Sequence, residues 1–251
     1  MRPRERQLQI TELVHSQGKA SVDHLAQHFA TSAETIRRDL TILAANGKLR
    51  KIHGAALALR DFGEGLFAQR MQLNAAAKRQ IADKACALVT PGDTLFIDTG
   101  STTLLLAQAL APIDNLTIVT NSTAIAAAIS SANDSASVFL LGGAYRQDNR
   151  QTCGAVALNQ ITGFHANLAL LTVAAVSAEG GMMDFSEDEA AIARAMMTHA
   201  ERSIVLADAS KFDRVAPFVV ASVGQVDTLV CDRTPGGLLN QRLQQAGVDV
   251  I

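Results

Sequence analysis

Tryptophan is absent and aromatic residues make up only 4% of the chain. Proteins that hold single-stranded nucleic acid stack its bases on aromatic rings, so that class of binder is excluded. Cysteine is scarce as well: Cys86, Cys153 and Cys231 lie far apart and none belongs to a C-x-x-C pair. An odd, dispersed set suggests neither a disulfide framework nor a zinc site, and is read as three free thiols. His24 and His28 share an i, i+4 spacing but have no evident third ligand nearby, so they read as a solvated pair and no metal is expected. No apolar run approaches the roughly 18–20 residues that span a bilayer, and the opening MRPRERQLQI lacks the apolar stretch of a secretory leader. A cytoplasmic protein without membrane contact is the expectation. Repeats, a Walker loop, a nucleophile elbow and H-E-x-x-H are all missing, so neither cofactor nor catalytic residue is assigned.

What is present begins with TSAETIRRDL, residues 31–40. Ile36, Leu40 and Leu43 fall at i, i+4 and i+7, which predicts a helix with one apolar stripe. Arg38 and Thr41 then point outward, with Arg37 and Thr35 on the flanks, where side chains reach phosphates or base edges in a major groove. Thr31 or Ser32 caps it, the former through a T-x-x-E box with Glu34. A helix over Glu5–Ser16, with Leu8, Ile10, Leu13 and Val14 inward, and a short one capped by Ser21, with Val22, Leu25, Ala26 and Phe29 inward, precede this run. Their spacing is that of a helix-turn-helix. Downstream, GKLRKIHG alternates Leu49 and Ile52 with the basic Arg50, Lys51 and His53 between glycines, as a β-wing does. The DNA-contact candidates are therefore Ser21, Ser32, Thr35, Arg37, Arg38, Thr41, Arg50, Lys51 and His53.

The near-neutral total of −2 hides an asymmetry. Residues 1–60 hold ten basic and five acidic groups, whereas residues 61–251 hold twelve basic and nineteen acidic. A basic head releases counterions from a duplex, while an acidic body is repelled by phosphates. The boundaries read as a head over 1–58, a linker over 59–74 marked by Gly63 and Gly65, and a body over 75–251. With 251 residues, 48% of them apolar, the chain has ample material for a buried core.

In the body, helical and strand-like segments alternate: helix 75–89, strand 94–98, helix 102–111, strand 116–120, helix 122–131, strand 137–141, helix 155–163, strand 168–176, helix 187–201, strand 203–207, strand 228–231 and helix 236–246. Such alternation predicts an α/β fold, a mostly parallel sheet covered on both faces. Ligands of such sheets bind beyond the carboxyl ends of the strands. There Asp98-Thr99-Gly100-Ser101-Thr102-Thr103 leads from a strand into a helix, so backbone N–H groups and hydroxyls converge as in a phosphate cradle. Thr120-Asn121, Gly142-Gly143 and Lys211 stand at other strand ends. Lys211 offers a charge to a phosphate, and Asp98 and Asn121 can hydrogen-bond the hydroxyls of a small polyol.

Along essentially its whole length the chain resembles the DeoR family of bacterial sugar-catabolism regulators. The motifs are ERQLQITELV, SVDHLAQHF, SAETIRRDL, LRKIHGAA, Lys78 in KRQIADKA, GDTLFIDTGSTT, LTIVTNS, LLGGAYR and LADASKF. AEGGMMDFSEDEA and the following RAM look most like the glycerol-3-phosphate repressor branch. The resemblance implies a winged-helix head reading double-stranded operator DNA. It also implies a ribose-phosphate-isomerase-like sensor in which Lys78 and the strand-end residues bind a phosphorylated sugar, polyol or sugar acid and relieve repression. Palindromic half-sites imply a homo-oligomer. The chain departs from the family where Asp-x-Ala-Phe-x-Gly is common and Asn167–Thr172 reads NLALLT, at Ala175-Val176, and at Ala193 where lysine is usual. DTGSTT is also similar to the G-T-G-S-T loop of ribose-5-phosphate isomerases, so the alternative is an isomerase-like enzyme with an accessory DNA-binding head. No D-G-A-D-E cluster accompanies the loop, and binding without turnover is the reading preferred.

Overall fold

The computed structural model describes residues 3–17, 19–45, 49–52, 54–57 and 67–251. The chain divides into two compact units, residues 1–65 and 66–251.

The first unit contains α1 (Pro3–Gln17), β1 (Lys19–Ser21), α2 (Val22–His28), α3 (Ala33–Ala45), β2 (Arg50–Ile52) and β3 (Ala55–Leu57). The strands form an antiparallel sheet in the order β1-β3-β2, so the expected wing has a third strand that its three-residue length concealed. Ile10, Val14, Val22, Leu25, Ile36, Leu40, Leu43 and Leu49 make the core, each almost fully removed from water. Leu8, expected inward, is 57% exposed. It sits half a turn from the Ile10–Val14 stripe, and a helix of this width buries only one side. Ser32 rather than Thr31 caps α3, its Oγ accepting from the Thr35 N–H at 3.1 Å. Likewise the Ser21 Oγ accepts from the His24 N–H and caps α2.

The second unit opens with α4 (Phe67–Gln72), a helix within the stretch read as linker, then α5 (Ala75–Cys86), β4 (Thr94–Ile97), α6 (Ser101–Ala109), β5 (Thr117–Thr120), α7 (Thr123–Ala132) and β6 (Ser137–Leu140). There follow β7 (Ala144–Arg146), β8 (Gln151–Cys153), α8 (Ala155–Ile161), β9 (Ala166–Thr172), β10 (Ala175–Ser177), β11 (Gly181–Asp184), α9 (Glu187–Thr198) and β12 (Ala200–Leu206). The chain ends with β13 (Phe218–Ala221), β14 (Thr228–Val230), α10 (Gly237–Gln245) and β15 (Asp249–Val250). Seven parallel strands lie in the order β15-β14-β12-β9-β4-β5-β6. Side chains alternate between two cores. Leu95, Ile97, Leu168, Leu170, Ile204 and Leu206 pack against α5, α6 and α7, while Phe96, Ala169, Leu171, Val205 and Leu229 pack against α8, α9 and α10. Burial on both faces is why the strands read as continuous apolar runs.

The run 168–176 is two strands and not one. After Thr172 the chain leaves the parallel sheet, and β10 joins β11 and β13 in a small antiparallel sheet. Residues 173–176 are as buried as those before them, so hydrophobicity carried no mark of the break. A β7–β8 hairpin, also unassigned from sequence, adds the turn 147–150.

Candidate functional site

In the head, capping and packing decide which groups face water. Asp39 lies inside the unit, 3% exposed, and accepts from Arg6 Nε at 2.7 Å and Gln7 Nε2 at 2.8 Å. The acid in RRDL therefore ties α1 to α3, while its neighbours Arg37 and Arg38 are left exposed. Arg37 makes a loose ion pair with Glu34 at 3.4 Å, and no side-chain partner is seen for Arg38 among the described residues. Thr41 Oγ1 donates to the Arg37 carbonyl at 2.8 Å and accepts from Lys51 Nζ at 2.8 Å, which stitches α3 to β2. Ser32 Oγ and Thr35 Oγ1 share a 2.8 Å bond at the other end of the same face. Thr35, Arg37, Arg38, Thr41 and Lys51 thus form one basic surface of a helix and its wing. Ser21 and Ser32 are caps first. His53 and the side chain of Arg50 lie outside the described residues.

In the body, β4, β5 and β6 run outward on one side and β9, β12, β14 and β15 on the other, so strand order reverses between β4 and β9. The crevice at such a reversal is where open α/β sheets bind ligands. Asp98, Thr99 and Gly100 stand there. Asp98 accepts from the Thr172 N–H at 2.9 Å, and the Thr172 hydroxyl faces Asp98 and the Thr99 carbonyl, the latter at 3.3 Å. A Cβ at Gly100 would lie 2.4 Å from Thr172 Oγ1 and 2.8 Å from Thr103 Oγ1, so the loop and the end of β9 approach more closely than any other residue permits. Ser101, Thr102 and Thr103 are buried in the first turn of α6, where the opening N–H groups have no intrahelical acceptor. On the neighbouring strand Asn121 follows Thr120, whose hydroxyl accepts from the Ser122 N–H.

Lys78 is buried on α5 and its Nζ donates to the Arg70 carbonyl. Burial lowers its pKa, and Asp208 opposes the shift. Lys211 sits after β12 and is lowered to about 8 by burial and then by Arg214. At about 8, Lys211 is still mostly a cation at neutral pH. Gly142 donates its N–H to Gln160 Oε1 at 2.6 Å, and a Cβ at Gly143 would stand 2.4 Å from the Cys153 carbonyl oxygen. These two glycines have a packing reason of their own, on the edge strand two positions from the reversal.

Sequence reasoning missed a polar cluster that the fold assembles beside Asp98. Arg70 of α4 is 7% exposed and donates to Asn149 Oδ1 at 3.0 Å. Asn149 Nδ2 and Gln151 Nε2 both donate to Glu189 Oε1, at 2.6 and 2.7 Å, and Gln151 Oε1 accepts from Asn121 Nδ2 at 3.2 Å. Asp184 accepts from the Ser186 N–H at 3.1 Å. Burial and the charge of Glu189 raise Asp184 to about 7; burial, with the charges of Asp184 and Glu189, raises Asp98 well above its ordinary value. Arg70 is lowered by burial and held up by Glu189, Asp184 and Asp98. The polar run QDNRQ at 147–151 and the acids of FSEDEA, residues 185–190, were the available signals, but nothing in spacing joins them. A separate groove of about 590 Å³, near Gly180, Val219, Val223 and Arg242, lacks these converging groups. No set of three His, Cys, Asp or Glu suited to a metal occurs among the described residues.

Two sequence families match this division: the DeoR-like helix-turn-helix domain over residues 6–61 and the DeoR C terminal sensor domain over residues 73–233. The chain belongs to the DeoR family. Its relatives include the glycerol-3-phosphate regulon repressor of Haemophilus influenzae, 31% identical over 96% of this chain and 93% of that one. The L-fucose operon activator of the same organism is 34% identical over 90% of each chain. Among solved structures, ribose 5-phosphate isomerase A from Methanocaldococcus jannaschii aligns with 55% of each chain at 16% identity and a TM-score of 0.42. This DeoR-family chain is a DNA-binding transcriptional regulator, and its relatives give the isomerase-like enzyme alternative no support. Two departures from the family pattern now have places. Asn167 lies at the amino end of β9, away from the site, and accepts from the Thr94 N–H. Thr172 lies at the carboxyl end, inside the site. Ala193 belongs to the core under α9.

Proposed function

We propose that the protein is a repressor of a carbohydrate or polyol catabolic operon that leaves its operator when a phosphorylated effector enters the body. The observation that carries this reading is the pairing of an exposed basic helix-and-wing face with a glycine-dependent loop at the strand-order reversal. Arg37, Arg38, Thr41 and Lys51 grip the duplex, with Thr35 and the capped helix starts setting the angle of entry. The N–H groups of residues 101–103, with Ser101, Thr102, Lys78 and Lys211, take the phosphate. Asp98 and Asn121 take hydroxyls. Two heads reading a palindrome imply a homo-oligomer, and the work belongs in the cytoplasm. No helix among the described residues is long and apolar enough to cross a membrane.

The test is a mobility shift of the full chain against the DNA upstream of its own gene. A specific complex at moderate salt is expected, weakened about 1–3 kcal/mol by Arg38→Ala if that arginine reads a base. Equal loss on all sequences would make it a phosphate contact, and absence of any specific complex would end the proposal.

A further inference from the structure

Two oxygens at the reversal are buried without a partner among the described residues: Thr103 Oγ1 and Asn121 Oδ1, on side chains 0% and 1% exposed. The Asn121 orientation is set by its neighbours. Gln151 commits its nitrogen to Glu189 and so presents its oxygen, and the Thr152 carbonyl is a second acceptor 3.2 Å from the same Asn121 nitrogen. The nitrogen of Asn121 must therefore face both, and its oxygen is left asking for a donor. β4 and β5 are paired with Ile97 opposite Thr120, so Asn121 and Asp98 are the next residues on adjacent strands. Around them stand Asp98, Asp184 and Glu189, all acceptors when ionised. Arg70 is the cation they share.

Resting on the reading that a phosphorylated metabolite occupies this edge, we propose that the end of the effector remote from phosphate is a hydroxyl-bearing, uncharged chain. The wall of Asp98, Asp184, Glu189 and the Asn121 oxygen excludes sugar-acid phosphates. Hydroxyls donate to such a wall. A carboxylate has no proton to give and would be a fourth acid around one arginine, in a place where burial and mutual repulsion already hold Asp98 and Asp184 above their ordinary pKa. The phosphate escapes this repulsion because it binds at the α6 N-terminus, among N–H groups and lysines.

The experiment measures binding to the full chain by thermal shift and by release of bound DNA, using pairs matched in carbon count and phosphate position. Glycerol 3-phosphate is set against 3-phosphoglycerate, ribitol 5-phosphate against ribonate 5-phosphate, and glucitol 6-phosphate against 6-phosphogluconate, with inorganic phosphate alone and the unphosphorylated polyols and acids as further arms. In the pair that binds, the neutral member should bind at least about tenfold more tightly. Glu189→Gln, which keeps an oxygen for Asn149 and Gln151, and Asp184→Asn, which keeps one for Ser186, should narrow that ratio by strengthening the acid, while inorganic phosphate binds as before. Equal or tighter binding of the acid member overturns the proposal and leaves the phosphate reading standing. If only unphosphorylated compounds bind, the phosphate reading fails, and the same ratio among them decides the wall. Binding of nothing in the panel counts against both.

Discussion

Replacing Gly100 with alanine tests whether the loop at the strand-order reversal depends on its missing side chain. The new Cβ would stand 2.4 Å from Thr172 Oγ1, 2.9 Å from Thr172 Cγ2 and 2.8 Å from Thr103 Oγ1. Both branches of Thr172 are too close, so no rotation of its side chain relieves the clash, and β9 or the loop must shift by about an ångström. Overpacking of this kind costs about 1–3 kcal/mol. Disturbing the Thr172 hydroxyl bonds adds about 1 kcal/mol, since they are long. A total of about 2–4 kcal/mol should lower the melting of a unit this size by roughly 5–15 °C. Thr172→Ala removes two of the three clashing atoms, so the double variant should recover about 1–2 kcal/mol relative to the sum of the single changes. Differential scanning calorimetry of the full chain provides the cycle. A Gly100→Ala transition within about 2 °C of the parent, or a double variant that is simply additive, would refute the close-approach argument.

Other consequences are as direct. Asp39→Ala leaves Arg6 and Gln7 facing an empty acceptor and should cost the head about 3 kcal/mol, the low end for a buried pair because Arg6 keeps some water; Asp39→Asn should cost less. A loss of DNA binding with Asp39→Ala that lowering the temperature does not restore would instead make Asp39 a contact residue. Asp184 has its folded pKa raised to about 7, so its contribution to stability is full below about pH 4 and is lost as pH rises through 7. Urea midpoints should therefore show a fall over that window that Asp184→Asn flattens; a fall of equal size in the variant would assign it elsewhere. Lys51→Ala removes both a cation and the Thr41 bridge, so it should lower affinity on every duplex and reduce the salt slope by about one. An unchanged slope would remove Lys51 from the interface.

Much of this architecture was legible because it rests on period and composition. Ile36, Leu40 and Leu43 announce their helix, and strands buried on both faces announce themselves as apolar runs ended by polar residues. The DTGSTT loop was legible for the same reason, as a turn between a strand and a helix. Short strands were not: β1 is held by β3, distant in sequence, β7 and β8 pair only with each other across a short turn, and three residues carry no period. The break after Thr172 was hidden because both halves of the run are buried. Arg70, Asn149, Gln151, Asp184 and Glu189 come from separate segments, and only the chain's path brings them to Asp98. Arg70 was doubly hidden, since α4 is too short to stand out from a linker. The burial of Asp39 left no mark, because sequence gives its type but not its surroundings.

In the function proposed for this protein, a small phosphorylated molecule governs the grip of the basic head on DNA. The most direct test selects a binding sequence for the full chain from random duplexes, then titrates that complex with phosphorylated polyols and sugars beside their unphosphorylated counterparts. At least one phosphorylated compound should release the DNA while its counterpart does not, and Lys78→Gln should abolish the response with DNA affinity intact. A sequence-specific complex indifferent to every phosphorylated compound, or no such complex at all, would contradict the account.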